Sequence, residues 1–415
     1  MPAIYENQIN VKVGPFEHFG LATFFVYILL VGFGLISIYS ATYEAGMSTF
    51  FFKQLSFVVL GTAVMFITMF LPLRWLNAYS HIAYALSLLL LVLVLLFGKE
   101  ISGTKGWFAF GGFGIQPAEP AKLTTLLAAS RFLSLKGTDI RRVRDLGILL
   151  IIVLLPVGLI LFQPDFGTAT VFFAILLGVL LWVGFDIFIL YIALTLPIIF
   201  ITALIGNTYF IVSLIIFSII TLFFRKKIIV TVLAASVIFL VGFSSPHIFE
   251  SLKPHQKARI ESFLRVGSGE KGMSYNVVQS TLAVGSGGLT GKGFLKGTQT
   301  QLRYIPAQRT DFILCVTTEE FGFLGGSLVI VLIAALIFRA LKISAESNSR
   351  FLSIVSFGVA SIFLYHSFFN IGMVIGLMPV MGIPLPFLSY GGSALITNSA
   401  MVGFMLNAYR LKRVS

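Results

Sequence analysis

The stretch YSHIAYALSLLLLVLVLLFG, residues 79–98, contains no Asp, Glu, Lys or Arg. About 20 consecutive apolar residues are enough for a helix to cross the hydrocarbon core of a bilayer. The composition agrees, because 57% of the 415 residues are hydrophobic and only 11% are charged. Ordinary soluble domains carry about 25% charged residues. The stretch and the composition together predict an all-α polytopic membrane protein.

Similar apolar stretches lie on both sides of residues 79–98, and we predict about ten to twelve transmembrane helices in all. Residues 1–19 are polar, so the first apolar stretch is expected to be a span and not a cleavable signal. The single cysteine, Cys315, excludes an intramolecular disulfide and a metal site built on paired thiolates. The predicted spans are 20–41, 50–72, 79–98, 119–135, 146–163, 166–185, 187–206, 208–224, 228–245, 320–342, 352–378 and 393–410.

The chain has 29 Lys and Arg against 16 Asp and Glu, a net charge of +13. Such a charge can indicate a nucleic-acid partner, but in a membrane protein the positive-inside rule explains it first, and no nucleic acid is expected. The loops 42–49 and 379–392 contain no Lys or Arg, so both termini are assigned to the cytoplasm. The cations assigned to the cytoplasmic side are Arg74, Lys136, Arg141, Arg142, Arg144, Arg225, Lys226, Lys227, Arg339, Lys342, Arg350, Arg410, Lys412 and Arg413.

Residues 246–319 are predicted to form one large extracytoplasmic loop, although they are rich in cations. Long loops cross the membrane largely regardless of charge, so the topology is unaffected. Contact with anionic lipid headgroups and an outward-facing anion site are both compatible with these cations. The glycines of the loop favour an anion site, because glycine lets the backbone approach a ligand closely. The nine cations are Lys253, Lys257, Arg259, Arg265, Lys271, Lys292, Lys296, Arg303 and Arg309.

Asp311 lies in YIPAQRTDFI, residues 304–313, between this loop and the next predicted span. Thr310 or Asp311 could cap the following helix, the ordinary role of such residues before an apolar run. The alternative is a functional carboxylate, because an ionisable group at membrane depth costs about 2.5–3.5 kcal/mol on insertion scales. The same reasoning makes Glu319 and Glu320 candidates. The cationic, glycine-rich loop beside Asp311 favours the functional interpretation.

Two further motifs lie near predicted helix ends. In WFAFGGFGIQPAEPAK, residues 107–122, Glu119 and Lys122 are three residues apart and can pair on one helix face. A structural ion pair and a functional one are both compatible with that spacing. In QPDFGT, residues 163–168, Asp165 is expected to cap the sixth span.

The remaining motifs are glycine-rich. GLTGKG, residues 288–293, does not match a P-loop, because its glycine spacing and the residue after Lys292 differ from that pattern. A flexible loop and a phosphate contact through Lys292 and Lys296 are both compatible with it. GLMPVMGIPLPFLSYGGS, residues 376–393, is predicted to be non-helical backbone between two spans. Because such backbone is tolerated at membrane depth only inside protein or beside a cavity, it is either a tight re-entrant turn or a substrate-lining loop.

Together these motifs resemble the SEDS family (shape, elongation, division and sporulation) over essentially the whole chain. The N-terminal tail and KGTQ at 296–299 are more similar to the rod-elongation branch of the family than to its division branch. Residues 187–245 exceed the usual ten-span core by about two spans, so an additional transmembrane pair within one domain, 1–415, is expected. The C-terminal signature includes Asn370, Gly376, Pro379, Gly382, Phe387, Leu388 and Ser389 through Ala394.

The resemblance implies a peptidoglycan glycosyltransferase that polymerises lipid II during cell elongation, in the bacterial cytoplasmic membrane. The acceptor 4-hydroxyl would attack the anomeric carbon of the growing chain, with inversion to a β-1,4 linkage and undecaprenyl diphosphate as the leaving group. Asp311 matches the essential aspartate of the family and is the expected general base. The expected substrate-binding residues are Trp107, Gln116, Glu119, Lys122, Gln279, Ser280, Lys292, Lys296, Arg309, Ser389 and Tyr390.

The resemblance also implies partners: a class B penicillin-binding protein, which crosslinks the strands, and other proteins of the elongation machinery. No cofactor is indicated, and a divalent cation at the diphosphate is allowed but not required. Two other functions fit a multi-span protein of cell-wall synthesis, a flippase for a lipid-linked precursor and a non-catalytic scaffold. A flippase needs polar groups along the transmembrane path, whereas the polar motifs here concentrate on the predicted outer face, which favours the polymerase.

Overall fold

The computed structural model describes residues 20–43, 48–101, 103–110, 113–224, 226–251, 257 and 273–412. The polar residues 1–19 and four of the loop cations, Lys253, Arg259, Arg265 and Lys271, lie outside these ranges. The described helices are α1 (Leu21–Thr42), α2 (Ser48–Phe70), α3 (Leu73–Phe97), α4 (Ala118–Leu133), α5 (Val143–Leu161), α6 (Phe166–Val183), α7 (Ile187–Ile205), α8 (Asn207–Phe223), α9 (Ile228–Ser251), α10 (Met273–Ser286), α11 (Thr298–Gln301), α12 (Ile313–Glu346), α13 (Arg350–Val374) and α14 (Gly392–Lys412).

Each of the twelve predicted spans coincides with one of these helices, so the polytopic all-α prediction is confirmed. Over the described ranges, nine helices are long and apolar enough to cross a membrane. Three predicted spans fall outside that group: α8 is apolar but has 17 residues, α4 has 16, and α14 carries buried polar side chains such as Asn398 and Asn407. A polar helix can lie within a membrane protein when its polar groups face other helices and not lipid.

A small antiparallel sheet between α3 and α4 was not predicted from the sequence. Its strands are β1 (Lys99–Ile101), β2 (Thr104–Phe110) and β3 (Phe113–Ile115), in the order β1-β2-β3. Lys99 lies opposite Trp107, and Gly103, with a φ of 80°, makes the turn between the first two strands. Strands of three residues carry too little alternation of apolar and polar residues to be recognised by pattern.

The described residues divide into two compact units, one reaching to Val179 and resuming at Asn276, the other comprising Leu180–Tyr275. In the first unit, α14 packs along α2, α12 packs on both α1 and α13, and α3 packs on α4. Buried hydroxyls join helices across this core, because Tyr27 bonds Thr62 at 3.0 Å and Ser399 at 3.1 Å.

The second unit consists mainly of α7, α8 and α9, which include the predicted additional pair of spans. Asp186 caps α7 by accepting from the Phe188 amide at 3.0 Å. The Lys226 ammonium donates to Asp186 at 2.6 Å, and this hydrogen bond holds the pKa of that carboxyl below its usual value. Tyr191 Oη donates to the Phe217 carbonyl at 2.6 Å and ties α7 to α8.

Helix α12 is broken at Gly322, which has a φ of 67° and a ψ of −163°. Residues 287–300, which we call the glycine-rich segment, cross the helix at this break. Phe323 and Leu324 donate to the carbonyls of Gly288 and Leu289 at 2.8 and 3.1 Å. The carbonyls of Glu319 and Glu320, freed by the break, accept from the amides of Lys292 and Gly293, each at 3.0 Å. The segment thus supplies the backbone hydrogen bonds that the interrupted helix lacks.

Glycine is required where this segment crosses α12, because there is no space there for a Cβ. A Cβ on Gly291 would lie 2.0 Å from the Glu320 carbonyl oxygen, and one on Gly287 would lie 2.1 Å from that of Thr318. The sequence suggested that these glycines let the backbone approach a ligand. In the structure they let it approach α12.

Candidate active site

The segment leading into α12 and the loop between α13 and α14 lie side by side. We call residues 375–391 the α13–α14 loop; it contains turns but neither helix nor strand. Ser389 Oγ donates to the Thr310 carbonyl at 2.6 Å and accepts from the Leu385 amide at 2.8 Å. The Tyr390 amide donates to the Arg309 carbonyl at 2.9 Å. These bonds place three predicted site residues, Arg309, Ser389 and Tyr390, directly beside Asp311.

Asp311 is partly exposed and faces the α13–α14 loop. A Cβ on Gly382, whose φ is 70°, would lie 3.8 Å from Asp311 Oδ2. The first position before α12 is Phe312, which caps the helix without a side-chain bond, and not Thr310 or Asp311. The Asp311 carbonyl accepts from Asn370 Nδ2 at 2.8 Å. The backbone of Asp311 is therefore fixed from α13, and its carboxylate is directed toward Gly382.

An aromatic and cationic stack borders this pair of segments. The Arg309 guanidinium lies 4.0 Å from the centre of the Phe50 ring, and Phe50 meets Tyr390 edge to face with 5.4 Å between ring centres. Burial raises the pKa of the Tyr390 phenol, an effect that the Arg309 charge opposes. Gln54, four residues after Phe50 on α2, accepts from the Gly391 amide at 3.3 Å. Helix α2 thus contributes two residues to the site that the sequence motifs did not include.

Glu119 and Lys122 form the predicted pair on α4, with 2.9 Å between Lys122 Nζ and Glu119 Oε1. Both are buried, with 3% and 1% of their surfaces exposed. Lys122 Nζ also lies 3.3 Å from His366 Nε2, and His366 Nδ1 lies 3.1 Å from the Pro384 carbonyl. The pair therefore reaches the α13–α14 loop through His366, a residue that the sequence motifs did not include.

Gln116 joins the start of α4 to two other elements. Its amide donates to Ser393 Oγ at 3.0 Å, and its Nε2 donates to Asp165 Oδ2 at 2.9 Å. Asp165 caps α6 as predicted, because its Oδ1 accepts from the Thr168 amide at 3.0 Å. Trp107, on β2, is partly exposed and lies against Gly114, where a Cβ would come within 3.1 Å of its ring.

The remaining predicted residues lie in the glycine-rich segment and on α10. Lys292 donates to Glu319 at 2.7 Å and to Thr298 at 2.8 Å, whereas Lys296 is exposed. Ser280 is buried and donates to the Val374 carbonyl at 2.8 Å, and Gln279 is partly exposed.

Glu319 and Glu320, which the sequence raised as functional candidates, bind the segment that crosses α12. Glu319 accepts from the amides of Gln299 and Thr300 at 2.9 and 3.0 Å, and Glu320 accepts from the Leu295 amide at 3.1 Å and from Ser40. Carboxylates that accept several backbone bonds are fixed in place. Their contacts are those of residues that hold the glycine-rich segment on α12.

These features define the class of protein: a multi-pass membrane protein with a carboxylate, Asp311, and a guanidinium, Arg309, beside an irregular loop between helices. The chain belongs to the family described as cell cycle proteins of the FtsW, RodA and SpoVE type, whose model matches residues 21–211 and 206–414. This is the SEDS family that the motifs resemble.

Curated relatives align over nearly the whole chain. The peptidoglycan glycosyltransferase RodA of Treponema pallidum is 30% identical, over 95% of this chain and 98% of its own length. MrdB of Escherichia coli K12, also named a peptidoglycan glycosyltransferase, is 30% identical over 94% and 93%. The stage V sporulation protein E of Bacillus subtilis is 33% identical over 93% and 95%.

Two solved structures share the fold. One chain of a peptidoglycan synthase complex, described as coordinating polymerization and crosslinking, has a TM-score of 0.72 and 26% identity, and the match covers 96% of this chain and 99% of that one. The rod-shape-determining protein RodA of Thermus thermophilus has a TM-score of 0.63 and 26% identity over 94% and 97%.

Proposed function

We propose that this chain is a peptidoglycan glycosyltransferase that polymerises lipid II into β-1,4 glycan strands during cell elongation. The observation that carries the proposal is the carboxylate of Asp311, held at the edge of the α13–α14 loop within the same segment as Arg309. Family membership and the two glycosyltransferase relatives support it.

The reaction needs a base for the attacking sugar hydroxyl. Asp311 would accept the proton of the acceptor 4-hydroxyl as that oxygen bonds to the anomeric carbon of the undecaprenyl-diphosphate-linked chain. The bond from that carbon to the diphosphate oxygen breaks, and undecaprenyl diphosphate leaves. Attack from the face opposite the leaving group inverts the anomeric carbon. Proton transfer to a positioned general base typically raises the rate of such a reaction by about 10²–10⁴-fold.

The leaving diphosphate needs cations. Arg309 is the nearest along the chain to Asp311, and its guanidinium is already held against Phe50. We assign Lys292 and Lys296 of the glycine-rich segment, and Lys122, to the same role. Lys122 is buried against Glu119 and His366, so it would act on the diphosphate through its charge and not through direct contact.

The remaining predicted residues would bind sugar and orient the site. A partly exposed tryptophan such as Trp107 can stack on the apolar face of a sugar ring. Gln116 and Tyr390 offer hydrogen bonds, since a tyrosine phenol with its ordinary pKa of about 10 is a protonated donor at neutral pH, and burial raises the pKa of Tyr390 further. Gln279 and Ser280 lie on α10, where Ser280 is bonded to the end of α13.

We further propose that the protein resides in the bacterial cytoplasmic membrane, with both termini cytoplasmic and the site outside. Its partners would be a class B penicillin-binding protein and other elongation proteins. The distribution of Lys and Arg supports the orientation. The likeness to one chain of a peptidoglycan synthase complex supports the transpeptidase partner.

The proposal is tested with purified protein in vesicles that contain lipid II, alone and with the class B penicillin-binding protein of the same genome. We expect glycan polymer, with one undecaprenyl diphosphate released for each glycosidic bond formed. The yield of both products should be higher when the partner is present. Movement of labelled lipid II between leaflets without polymer would instead indicate a flippase. Partner binding without either product would indicate a scaffold.

A further inference from the structure

We infer that His366 is a positioning residue that fastens the α13–α14 loop across from Asp311. The inference rests on the proposed polymerase function and adds a residue to it. His366 lies on α13 and is 1% exposed. Its two ring nitrogens contact different elements: Nε2 lies 3.3 Å from Lys122 Nζ, and Nδ1 lies 3.1 Å from the Pro384 carbonyl oxygen.

Lys122 fixes which nitrogen carries the proton. A lysine ammonium has donors only, so Nε2 must accept from it. A neutral imidazole has one donor and one acceptor, so the hydrogen is on Nδ1 and is donated to the Pro384 carbonyl. Glu119, at 2.9 Å from Lys122 Nζ, holds the ammonium in place. The buried ion pair therefore sets the tautomer that binds the loop.

The bond to Pro384 is one of several hydrogen bonds that join the loop to α13, among them the bond from the Met381 amide to Met373 Sδ at 3.1 Å. Asn370 lies one helical turn after His366, on the same face. Its Nδ2 donates to the Ile383 carbonyl at 2.8 Å, so the carbonyls of two consecutive loop residues are bound by α13. Asn370 Nδ2 also donates to the Asp311 carbonyl at 2.8 Å. The loop and Asp311 are thus both hydrogen-bonded to the same helix, α13.

The loop position matters because Gly382, directly before Ile383, lies close to Asp311: a Cβ on Gly382 would be 3.8 Å from Asp311 Oδ2. The loop has no strand or helix to keep its shape, and both Gly382 and Phe387 have positive φ values, of 70° and 66°. Side-chain bonds, together with the backbone bond from Tyr390 to Arg309, therefore hold its backbone in place. Loss of the His366 bond would free the Pro384 carbonyl and let the loop move relative to Asp311.

Two amide variants separate the two contacts of His366. In His366→Asn the amide nitrogen occupies the place of Nδ1, so the variant keeps a donor for Pro384 and loses the partner of Lys122. In His366→Gln the longer amide reaches the place of Nε2, so the variant keeps an acceptor for Lys122 and loses the loop bond. Both remove the ring, so both lose similar packing.

We expect His366→Gln to lower kcat for lipid II polymerisation about tenfold or more, because small displacements of positioned groups have effects of that order. His366→Asn should stay within about threefold of wild type, and KM for lipid II should change less than about twofold in either variant. Ser367→Ala is the matched control, because Ser367 is the next residue, is buried, and has a hydroxyl with no hydrogen-bond partner among the described residues. It should keep the wild-type kcat.

A second readout does not depend on activity. Hydrogen exchange at the Leu385, Leu388 and Ser389 amides, which are bonded within the loop, should be faster in His366→Gln than in His366→Asn or wild type. Equal exchange in the two amide variants, or kcat losses that follow their melting temperatures in detergent, would overturn the inference. Wild type without polymerase activity but with the expected exchange pattern would overturn the proposed function and leave the fastening of the loop supported.

Discussion

At the scale of single residues, the site is built by hydrogen bonds to backbone carbonyls. Asn370, Ser389 and His366 each bind a carbonyl of the 309–311 segment or of the α13–α14 loop. Carbonyl groups in an irregular loop have no regular partners, so side chains must supply the donors. These side chains therefore decide where the Asp311 carboxylate lies.

Asn370→Asp tests this directly. The substitution replaces the donor to two carbonyls with a carboxylate oxygen, which places acceptor against acceptor in a buried position, at a cost of about 1–3 kcal/mol for each lost bond. We expect polymerase kcat to fall at least about tenfold. The measurements are initial rates with lipid II and the free energy of unfolding in detergent.

Asn407→Asp is its control. Asn407 is also buried and donates to two carbonyls, those of Thr68 and Leu71, at 3.0 and 2.8 Å, but it lies near the end of α14. It should lose comparable stability and keep its kcat. A comparable fall in kcat in both variants would show that the loss is one of folding and not of site geometry.

At the scale of elements, the interrupted α12 and the glycine-rich segment that crosses it stabilise each other. The segment replaces hydrogen bonds lost at Gly322, and the buried carboxylates of Glu319 and Glu320 fix it from within. Carboxylates at this depth are costly unless they are bonded, and these two are bonded to backbone amides.

Gly291→Ala should therefore be strongly destabilising, by roughly 3 kcal/mol or more, because its Cβ would meet the Glu320 carbonyl oxygen and its φ of 83° is unfavourable for alanine. Gly285→Ala, on α10, has open space around it and should raise stability by about 0.5–1 kcal/mol through helix propensity. The free energy of unfolding in detergent measures both effects. Equal changes in that free energy would contradict the close packing of the glycine-rich segment on α12.

The sequence was sufficient for elements that depend on local patterns. Long apolar runs predicted twelve of the fourteen described helices, and the i,i+3 spacing predicted the Glu119–Lys122 pair. Contacts between distant segments gave no such signal. Two of the three strands of the sheet before α4 have only three residues, too few to show alternation. The contact of the glycine-rich segment with α12 depends on a break within that helix, which apolar content does not reveal.

The candidate site was predictable to the same extent. The motifs identified Asp311, Arg309, Ser389 and Tyr390, which the structure brings together. His366 was missed because a single histidine in an apolar helix is more often a satisfied core residue. Its spacing of four from Asn370 was the one available signal, since two polar residues on one face of a span indicate a polar neighbour.

At the scale of the whole molecule, the proposed orientation can be tested by cysteine labelling. The native Cys315 is fully buried, so an introduced cysteine can be followed without removing it. Lys105→Cys, on β2, should react with a membrane-impermeant maleimide added outside cells. Asn348→Cys, between α12 and α13, should react only after the membrane is opened. The reverse pattern would place the candidate site on the cytoplasmic side.

Asp311 is the proposed general base. The most direct measurement is the initial rate of glycan bond formation from lipid II by Asp311→Asn, with its class B penicillin-binding partner present. Asp186→Asn serves as a control in an exposed turn of the second unit. We predict that Asp311→Asn loses about 10²–10⁴-fold in rate, while the control keeps the wild-type rate. An Asp311→Asn rate close to that of wild type, in protein that is folded and bound to its partner, would contradict the claim.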